Sequence, residues 1–224
     1  MEKENILNEL KNYLFFGMGD IYQEKLSQLL NNAESFAKDD NDIELNFNLG
    51  IGYRNYCAWF IRGNERRIYL EKSIRYFEKA YSEAKKTNDK DLIISIASDY
   101  GRQLIDEAIT RDLKKGISIL EKVWDSTKGY LPCLCWLLDG YYQTKEYLKS
   151  MIYAEELHKR ALNDDYWGKY QPPPAPMKRY AKACRALAKK LKKEGNIVES
   201  KKYFEILIRN EFSTENDKKL LSKL

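Results

Sequence analysis

The sequence predicts an all-α protein, and three observations support this fold class. Glycine (11 residues) and proline (5 residues) are scarce in a chain of 224, so few positions interrupt a helix. Apolar residues recur at helical spacing in nearly every segment, and no convincing strand alternation is present. The connections between these segments are short and polar, which favours antiparallel neighbours. We therefore expect roughly ten or eleven helices arranged in hairpins.

The N-terminal half contributes six predicted helices. Segments 4–16 and 21–38 form a first, degenerate pair, which KDDND (38–42) separates from the next segment. Segments 42–61 and 66–86 are joined by RGNE (62–65), and TNDK (87–90) leads into segments 90–109 and 113–126. Because each linker is polar and only a few residues long, each pair is expected to be antiparallel.

The C-terminal half contributes two further pairs and one end helix. Segments 132–143 and 146–162 form the first pair, and segments 177–194 and 197–210 form the second across KEGN (193–196). The last segment is 214–224, and Ser213 is its expected N-cap because a serine hydroxyl accepts a hydrogen bond from the first turn.

A recurring triplet marks the second helix of four pairs. It consists of a small residue, a bulky or small residue four positions later, and an apolar residue three positions after that. The triplets are Ser73, Phe77, Ala80; Gly116, Leu120, Val123; Ser150, Ala154, Leu157; and Ser200, Phe204, Leu207. The last two pairs align without a gap. The small residue is expected where the two helices of a pair approach closely. Because the triplet recurs in four pairs, the pairs are interpreted as internal repeats.

This pattern resembles the tetratricopeptide repeat, whose second helix carries A-x3-F, and LGIGY (49–53) is similar to its first-helix motif. Gly116 and Ser150 are 34 residues apart, which is the family's period, whereas Ser73 to Gly116 spans 43 residues and Ser150 to Ser200 spans 50. The resemblance covers about residues 43–210. It implies antiparallel hairpins stacked as a TPR-like right-handed superhelix, an α-solenoid.

A single domain over residues 1–224 is expected, because stacked helix pairs bury a continuous core. Its parts are a degenerate hairpin at 4–38, repeats at about 42–86, 90–126, 131–162 and 177–210, a capping helix at 213–224 and a proline-rich insert at 162–177. QPPPAP in this insert favours polyproline II conformation. It is interpreted either as a stiff connector or as a docking site for a proline-recognising domain.

Positive charge is concentrated near the C-terminus. Residues 166–224 carry 15 Lys or Arg and 6 Asp or Glu, a balance of +9, although the whole chain has a net charge of only +5. Residues 178–193 read KRYAKACRALAKKLKK, with eight cations in sixteen positions. The remainder of the chain is net acidic, so any recognition of an anionic partner is expected at the C-terminal end.

Residues suited to catalysis are scarce, and no enzyme activity, metal or cofactor is expected. The chain has one histidine, His158, without a second ligand at metal-binding spacing. Cys133 and Cys135 lie in an apolar helix, where packing is the simpler role. No glycine-rich phosphate loop, G-x-S-x-G or H-E-x-x-H motif occurs. The cysteines show no disulfide framework, and a cytoplasmic protein with reduced thiols is expected.

In tetratricopeptide arrays the first helix of each pair lines a groove that binds extended peptides. The resemblance implies that one cationic stripe of helix 177–194 faces this groove: Lys182, Arg185, Lys189 and Lys192. In the preceding pair it implies Cys135, Asp139 and Tyr142. Weaker candidates in the earlier first helices are Arg54, Asn55, Asp99, Arg102 and Gln103.

The expected function is a scaffold or adaptor that binds a peptide or protein partner, with an acidic segment favoured at the basic C-terminal end. The alternative is a nucleic-acid-binding helical repeat that uses the same basic helix, with Tyr180 or Trp167 stacking on a base. Attachment to a membrane surface is a third reading, which the small apolar residues of this helix disfavour. In a homo-oligomer, helices 4–16 and 214–224 would be the natural contact surfaces.

Overall fold

The computed structural model describes residues 2–16, 21–37, 41–127, 130–161 and 176–224. Over these ranges the chain is all-α, with eleven α-helices and one short 3-10 helix at Gly63–Glu65. The helices are α1 (Lys3–Phe16), α2 (Ile21–Ala37), α3 (Ile43–Phe60), α4 (Arg66–Ala84), α5 (Lys90–Asp106), α6 (Leu113–Thr127), α7 (Leu131–Gln143), α8 (Tyr147–Ala161), α9 (Pro176–Lys193), α10 (Ile197–Arg209) and α11 (Glu215–Leu221). The predicted all-α class is confirmed. Most of the proline-rich insert lies outside the described residues.

The chain divides into two compact units, Met1–Ile119 and Leu120–Leu224, with the division inside α6. In the first unit, α1 and α2 pack on each other and on α3, α3 pairs with α4, and α4 packs on α5. In the second unit, α7 pairs with α8 and α9 with α10, and α9 also contacts both α7 and α8. Most of these contacts therefore join helices that are adjacent in sequence, and α1–α3 and α7–α9 join helices two apart.

The small residue of each triplet lies where the two helices of a pair meet. In three pairs its hydroxyl donates a hydrogen bond to a carbonyl of the first helix: Ser73 to Gly50 (2.6 Å), Ser150 to Leu138 (3.0 Å) and Ser200 to Ala188 (2.8 Å). In the α5–α6 pair, a Cβ added to Gly116 would lie 3.0 Å from the carbonyl oxygen of Gly101. The same close contact thus recurs in four successive pairs, as the triplet predicts.

The other triplet positions form the cores of these pairs. Phe77, Leu120, Ala154 and Phe204 are fully buried, and so are Ala80, Leu157 and Leu207. The α7–α8 and α9–α10 turns also share one geometry. The amide of Glu146 donates to the carbonyl of Tyr141, and the amide of Asn196 donates to that of Leu191. In each turn the residue before that amide, Lys145 or Gly195, has a positive φ.

The last helix begins one residue later than Ser213 would imply. Thr214 is the N-cap of α11, and it forms a reciprocal capping box with Asp217. The Oγ1 atom of Thr214 accepts from the amide of Asp217, and the carboxylate of Asp217 accepts from the amide of Thr214. Asp217 lies three residues after Thr214, as a capping box requires, so Thr214 rather than Ser213 is selected. None of the described helices is long and apolar enough to span a membrane.

Candidate binding cleft on helix α9

Helix α9 has one packed side and one cationic side. Its sequence is rich in Ala, Lys, Arg and Leu, which are strong helix formers, and it begins at a proline and ends before the left-handed Gly195. The packed side joins the core of the second unit through Tyr180, Cys184 and Leu187. Because the lysines cannot enter this core, the helical period places most of them on the opposite side.

Two contacts fix the alignment of α7 with α9. The guanidinium of Arg179 donates to the carboxylate of Asp139 at 2.8 Å, and the ammonium of Lys182 lies 4.1 Å from the ring centroid of Tyr142. Both contacts join residues 40 positions apart, so the two helices run parallel at this point. On this alignment α7 ends opposite Ala183. The last ten residues of α9 (184–193), about 15 Å of helix, therefore extend beyond the end of α7.

A cleft of about 840 Å³ lies between this projecting part of α9 and the α7–α8 turn. One wall is the turn, through Tyr142, Lys145 and Tyr147. The other wall is a single stripe of α9: Lys182, Arg185, Ala186, Lys189, Lys190, Lys193, with Glu194 after the last turn. Side chains three or four residues apart share one face of a helix, so this stripe presents its cations to the same space.

Four cations in the cleft form no ion pair with the described residues: Lys145, Lys182, Lys189 and Lys193. The other two are engaged. Lys190 lies 3.7 Å from the carboxylate of Glu194, and Arg185 pairs with Asp217. All four unpaired lysines are exposed, so their ammonium groups reach solvent on flexible stems. The cleft therefore carries a local excess of positive charge that no described carboxylate balances.

Arg185 connects the cleft to α11. Its Nε atom donates to both carboxylate oxygens of Asp217 at 2.8 and 2.9 Å, and its guanidinium also donates to the carbonyl of Phe212 at 3.0 Å. The side chain of Asp217 is fully buried. Burial raises the pKa of this carboxyl, but the hydrogen bonds from Arg185 and Thr214 outweigh it, and the pKa lies below its usual value. Arg185 thus holds the C-terminal segment in place.

The two tyrosines of the cleft are partly occupied by neighbours. The ring of Tyr142 packs against that of Tyr147 with 5.5 Å between centroids, and Lys182 lies over the ring of Tyr142. Burial raises the pKa of the Tyr142 hydroxyl, and the nearby Tyr147 raises it further. Tyr142 therefore remains a neutral wall of the cleft at physiological pH, and one of its faces is already covered by a cation.

The structure brings four of the six predicted site residues to this cleft: Lys182, Arg185, Lys189 and Tyr142. Asp139 and Lys192 are not among its lining residues. The carboxylate of Asp139 is paired with Arg179. Lys192 follows Lys189 by three positions, about 300° of helix rotation, which turns it towards the edge of the stripe, whereas Lys193 stays on it. Cys135, also expected to face the groove, is instead buried in the core.

Sequence reasoning missed Lys145, Tyr147, Lys190 and Lys193 as lining residues. The sequence does contain a signal for Lys145. The gapless alignment of the last two pairs makes Lys145 equivalent to Gly195, so a lysine stands at a turn position where glycine is preferred. Lys190 and Lys193 were missed because the predicted residues (182, 185, 189 and 192) are spaced by three, four and three positions, and this spacing ends at the edge of the stripe. Nothing in the sequence placed the α7–α8 turn against α9, since that contact depends on the packing of α8 on α9.

The weaker candidates in the first unit are mostly engaged with the protein itself. Arg54 of α3 and Asp99 of α5 form an ion pair at 2.7 Å. Gln103 is fully buried and contacts the hydroxyl of Ser73. The Arg54–Asp99 pair joins the first helices of two successive pairs, as Asp139 and Arg179 do in the second unit. These charges stabilise neighbouring helices.

The groups considered for catalysis are packed. His158 stacks on the ring of Tyr180 with 4.5 Å between centroids. All four cysteines are buried, and burial raises the pKa of the Cys133 and Cys184 thiols to about 12. Over the described ranges, no group of three or more His, Cys, Asp or Glu side chains is placed to hold a metal ion.

Comparisons with family models, with curated proteins and with solved structures find no match to this chain.

Proposed function

We propose that this protein is a non-catalytic scaffold or adaptor that binds an acidic segment of a partner protein in the α9 cleft. The observation that carries the proposal is the set of four lysines (Lys145, Lys182, Lys189 and Lys193) that face one open cleft without a described carboxylate partner. Gathering like charges is unfavourable unless an anion is bound, so a surface of this kind is suited to an anionic ligand.

The repeated helix pairs support the scaffold role. We further propose that the pairs belong to a divergent repeat of the tetratricopeptide type, stacked as a right-handed α-solenoid whose first helices line the binding surface. The recurrent serine–carbonyl contact of the α3–α4, α7–α8 and α9–α10 pairs supports the repeat. The Asp139–Arg179 pair between α7 and α9 supports stacking of first helix on first helix.

The cleft favours an acidic protein segment over a single-stranded nucleic acid. Nucleic-acid grooves of this kind combine cations with open aromatic faces on which bases stack. Here Lys182 covers one face of Tyr142, and Tyr147 packs against the same ring. Arg185 is the one guanidinium among the described lining residues and the group best suited to phosphate, and it is bound to Asp217. The unpaired cations are all lysines, which suit carboxylates placed at variable positions.

A direct test uses a fluorescein-labelled peptide of alternating glutamate and glycine and measures its anisotropy with the purified protein. The double variant Lys182→Gln/Lys189→Gln removes two cleft cations. The control variant Lys201→Gln/Lys219→Gln removes two exposed lysines of α10 and α11 that do not line the cleft. Both variants lower the net charge equally. We expect about tenfold weaker binding for the cleft variant, since each exposed cation contributes up to about 1 kcal/mol, and little change for the control.

Two results would contradict the proposal. Equal losses in the two double variants would mean that binding follows net charge rather than the cleft. A labelled oligouridylate that binds more tightly than the peptide, and that loses affinity only in the cleft variant, would favour the nucleic-acid function instead. Salt titration of both ligands separates diffuse attraction from contacts in the cleft.

A further inference from the structure

We infer that the ligand of this cleft is an extended acidic stretch of about five or six residues, held between Lys145 on one wall and the lysines of α9 on the other. This inference rests on the proposed function and specifies the length and placement of the segment that the cleft accepts. It follows from the spacing of the unpaired cations, from the chemistry of lysine and from the conformation of Lys145.

The α9 wall sets the length of the ligand. Lys182 and Lys193 are eleven residues apart, which corresponds to about 16 Å along the helix axis. An extended peptide advances about 3.3 Å per residue, so about five residues cover this wall. Beyond Lys193 the helix ends, and the next lining residue is Glu194, which offers no cation and lies 3.7 Å from the ammonium of Lys190. A longer acidic run therefore gains no additional cation in the cleft.

The unpaired cations determine how the ligand is recognised. A lysine ammonium is a compact charge on a flexible stem and imposes no planar, forked geometry on its partner. Carboxylates at slightly different positions along the segment can therefore satisfy the same lysines. The affinity of a peptide is expected to depend on the number of carboxylates within the length of the cleft and to change little with their order. A small anion cannot contact Lys182 and Lys193 together.

Lys145 occupies a position that local backbone energetics disfavour. Its φ is +64°, and the equivalent residue of the next turn is Gly195 at +81°. A residue with a Cβ is disfavoured in this conformation, and glycine would relieve the strain. The side chain of Lys145 nevertheless lines the cleft from the wall opposite α9. A strained lysine with an exposed, unpaired ammonium at a binding cleft indicates a role in holding the ligand.

The experiment combines a peptide series with one pair of variants. Labelled peptides with two, four, six and eight consecutive glutamates are titrated against the 224-residue chain, and inorganic phosphate is added as a compact competitor. Lys145→Gly removes the lysine side chain of the second wall and leaves Tyr142 and Tyr147 in place. Glu211→Gly is the control for the backbone conformation, because Glu211 also has a positive φ (59°) after a helix end but does not line the cleft. It raises the net charge by one, whereas Lys145→Gly lowers it by one.

We expect affinity to rise about tenfold from two to six glutamates and to change by less than about twofold from six to eight. Phosphate should compete only as strongly as chloride at equal ionic strength. Lys145→Gly and Glu211→Gly should each raise the midpoint of thermal unfolding by about 3 °C. Only Lys145→Gly should also weaken the six-glutamate peptide, by about fivefold.

The outcomes separate this inference from the proposed function. If none of the peptides binds, the proposed function fails, and the inference fails with it. If the peptides bind but affinity is independent of length, or still rises markedly from six to eight glutamates, only the inferred span is overturned. Equal effects of Lys145→Gly and Glu211→Gly on peptide affinity would overturn the role of Lys145. Tight competition by phosphate would assign the cleft to a compact anion.

Discussion

Replacing Arg185 by alanine tests whether the buried Arg185–Asp217 pair holds the C-terminal segment. The carboxylate of Asp217 is fully buried and accepts a bifurcated hydrogen bond from the single N–H of Arg185 Nε. It also accepts two hydrogen bonds from Thr214, one from the amide and one from the hydroxyl. Removing one partner of a buried ion pair costs about 3–5 kcal/mol, because the other charge stays buried without compensation. Two hydrogen bonds from Thr214 remain in the variant, and the Arg185 side chain is 26% exposed. We therefore expect a loss of about 3 kcal/mol in the free energy of unfolding.

The position of Asp217 on the short helix α11 gives a second observable. If the unpaired charge costs more than the packing of α11 contributes, α11 will detach and carry Asp217 into water. The measured loss of global stability is then limited to the docking energy of α11, which includes packing by Leu220, Leu221 and Leu224. Urea denaturation followed by circular dichroism gives the global value, and hydrogen exchange of the α11 amides reports detachment.

The double variant Arg185→Ala/Asp217→Asn is the control for the charge. Asparagine keeps an acceptor for the capping hydrogen bonds of Thr214 and removes the buried charge, so part of the lost stability should return. The role of Arg185 in holding α11 is refuted if Arg185→Ala lowers stability by less than about 1 kcal/mol and leaves the exchange of α11 unchanged. It is also refuted if the double variant is less stable than the single one.

Three further predictions concern the same pair and the repeated helix contact. Because the folded-state pKa of Asp217 is lowered, its stabilising effect is present above a pH of about 4 and is lost as the pH falls. The free energy of unfolding should therefore decrease less on acidification for Asp217→Asn than for the wild type. Gly116→Ala should lower the free energy of unfolding by about 1 kcal/mol in urea denaturation, because the added Cβ would lie 3.0–3.1 Å from three atoms of α5. This overpacking exceeds the gain in helix propensity, and a stabilised variant would contradict the close contact. Ser200→Ala should cost about 1 kcal/mol by the same measurement, because its 2.8 Å hydrogen bond to the Ala188 carbonyl is lost. Ser200→Val should cost more, because Ser200 is fully buried and the larger side chain has no room. Equal stability of the wild type and both variants would refute the role of Ser200.

The sequence predicted the helices well because their signals are local. Helical period, scarce glycine and proline, and short polar linkers specify where each helix lies, and the predicted segments agree with the observed ones to within a few residues at most ends. The small residue of the triplet was also predictable. Two helices approach closely only where side chains are small, so Ser73, Gly116, Ser150 and Ser200 reveal the contact in advance.

The candidate site was only partly predictable, because it depends on distances between helices. The cationic side of α9 follows from its own periodicity, and Lys182, Arg185 and Lys189 were placed on it. Whether a given cation is available for a ligand depends on its partners. Arg185 is bound by Asp217 from a helix 32 residues later in the chain, and no pattern near Arg185 indicates this.

The sequence alone therefore determined an all-α chain of paired helices with a repeated small-residue contact and a basic helix near its C-terminus. These properties follow from the spacing of residues within about two helical turns. Tertiary structure decided that α9 extends about 15 Å beyond the end of α7, that the α7–α8 turn brings Lys145 and Tyr147 to the resulting cleft, and that Arg185 holds α11. The reason is physical: a helix specifies its faces through local periodicity, but its position along a neighbouring helix is set by side chains far apart in the chain.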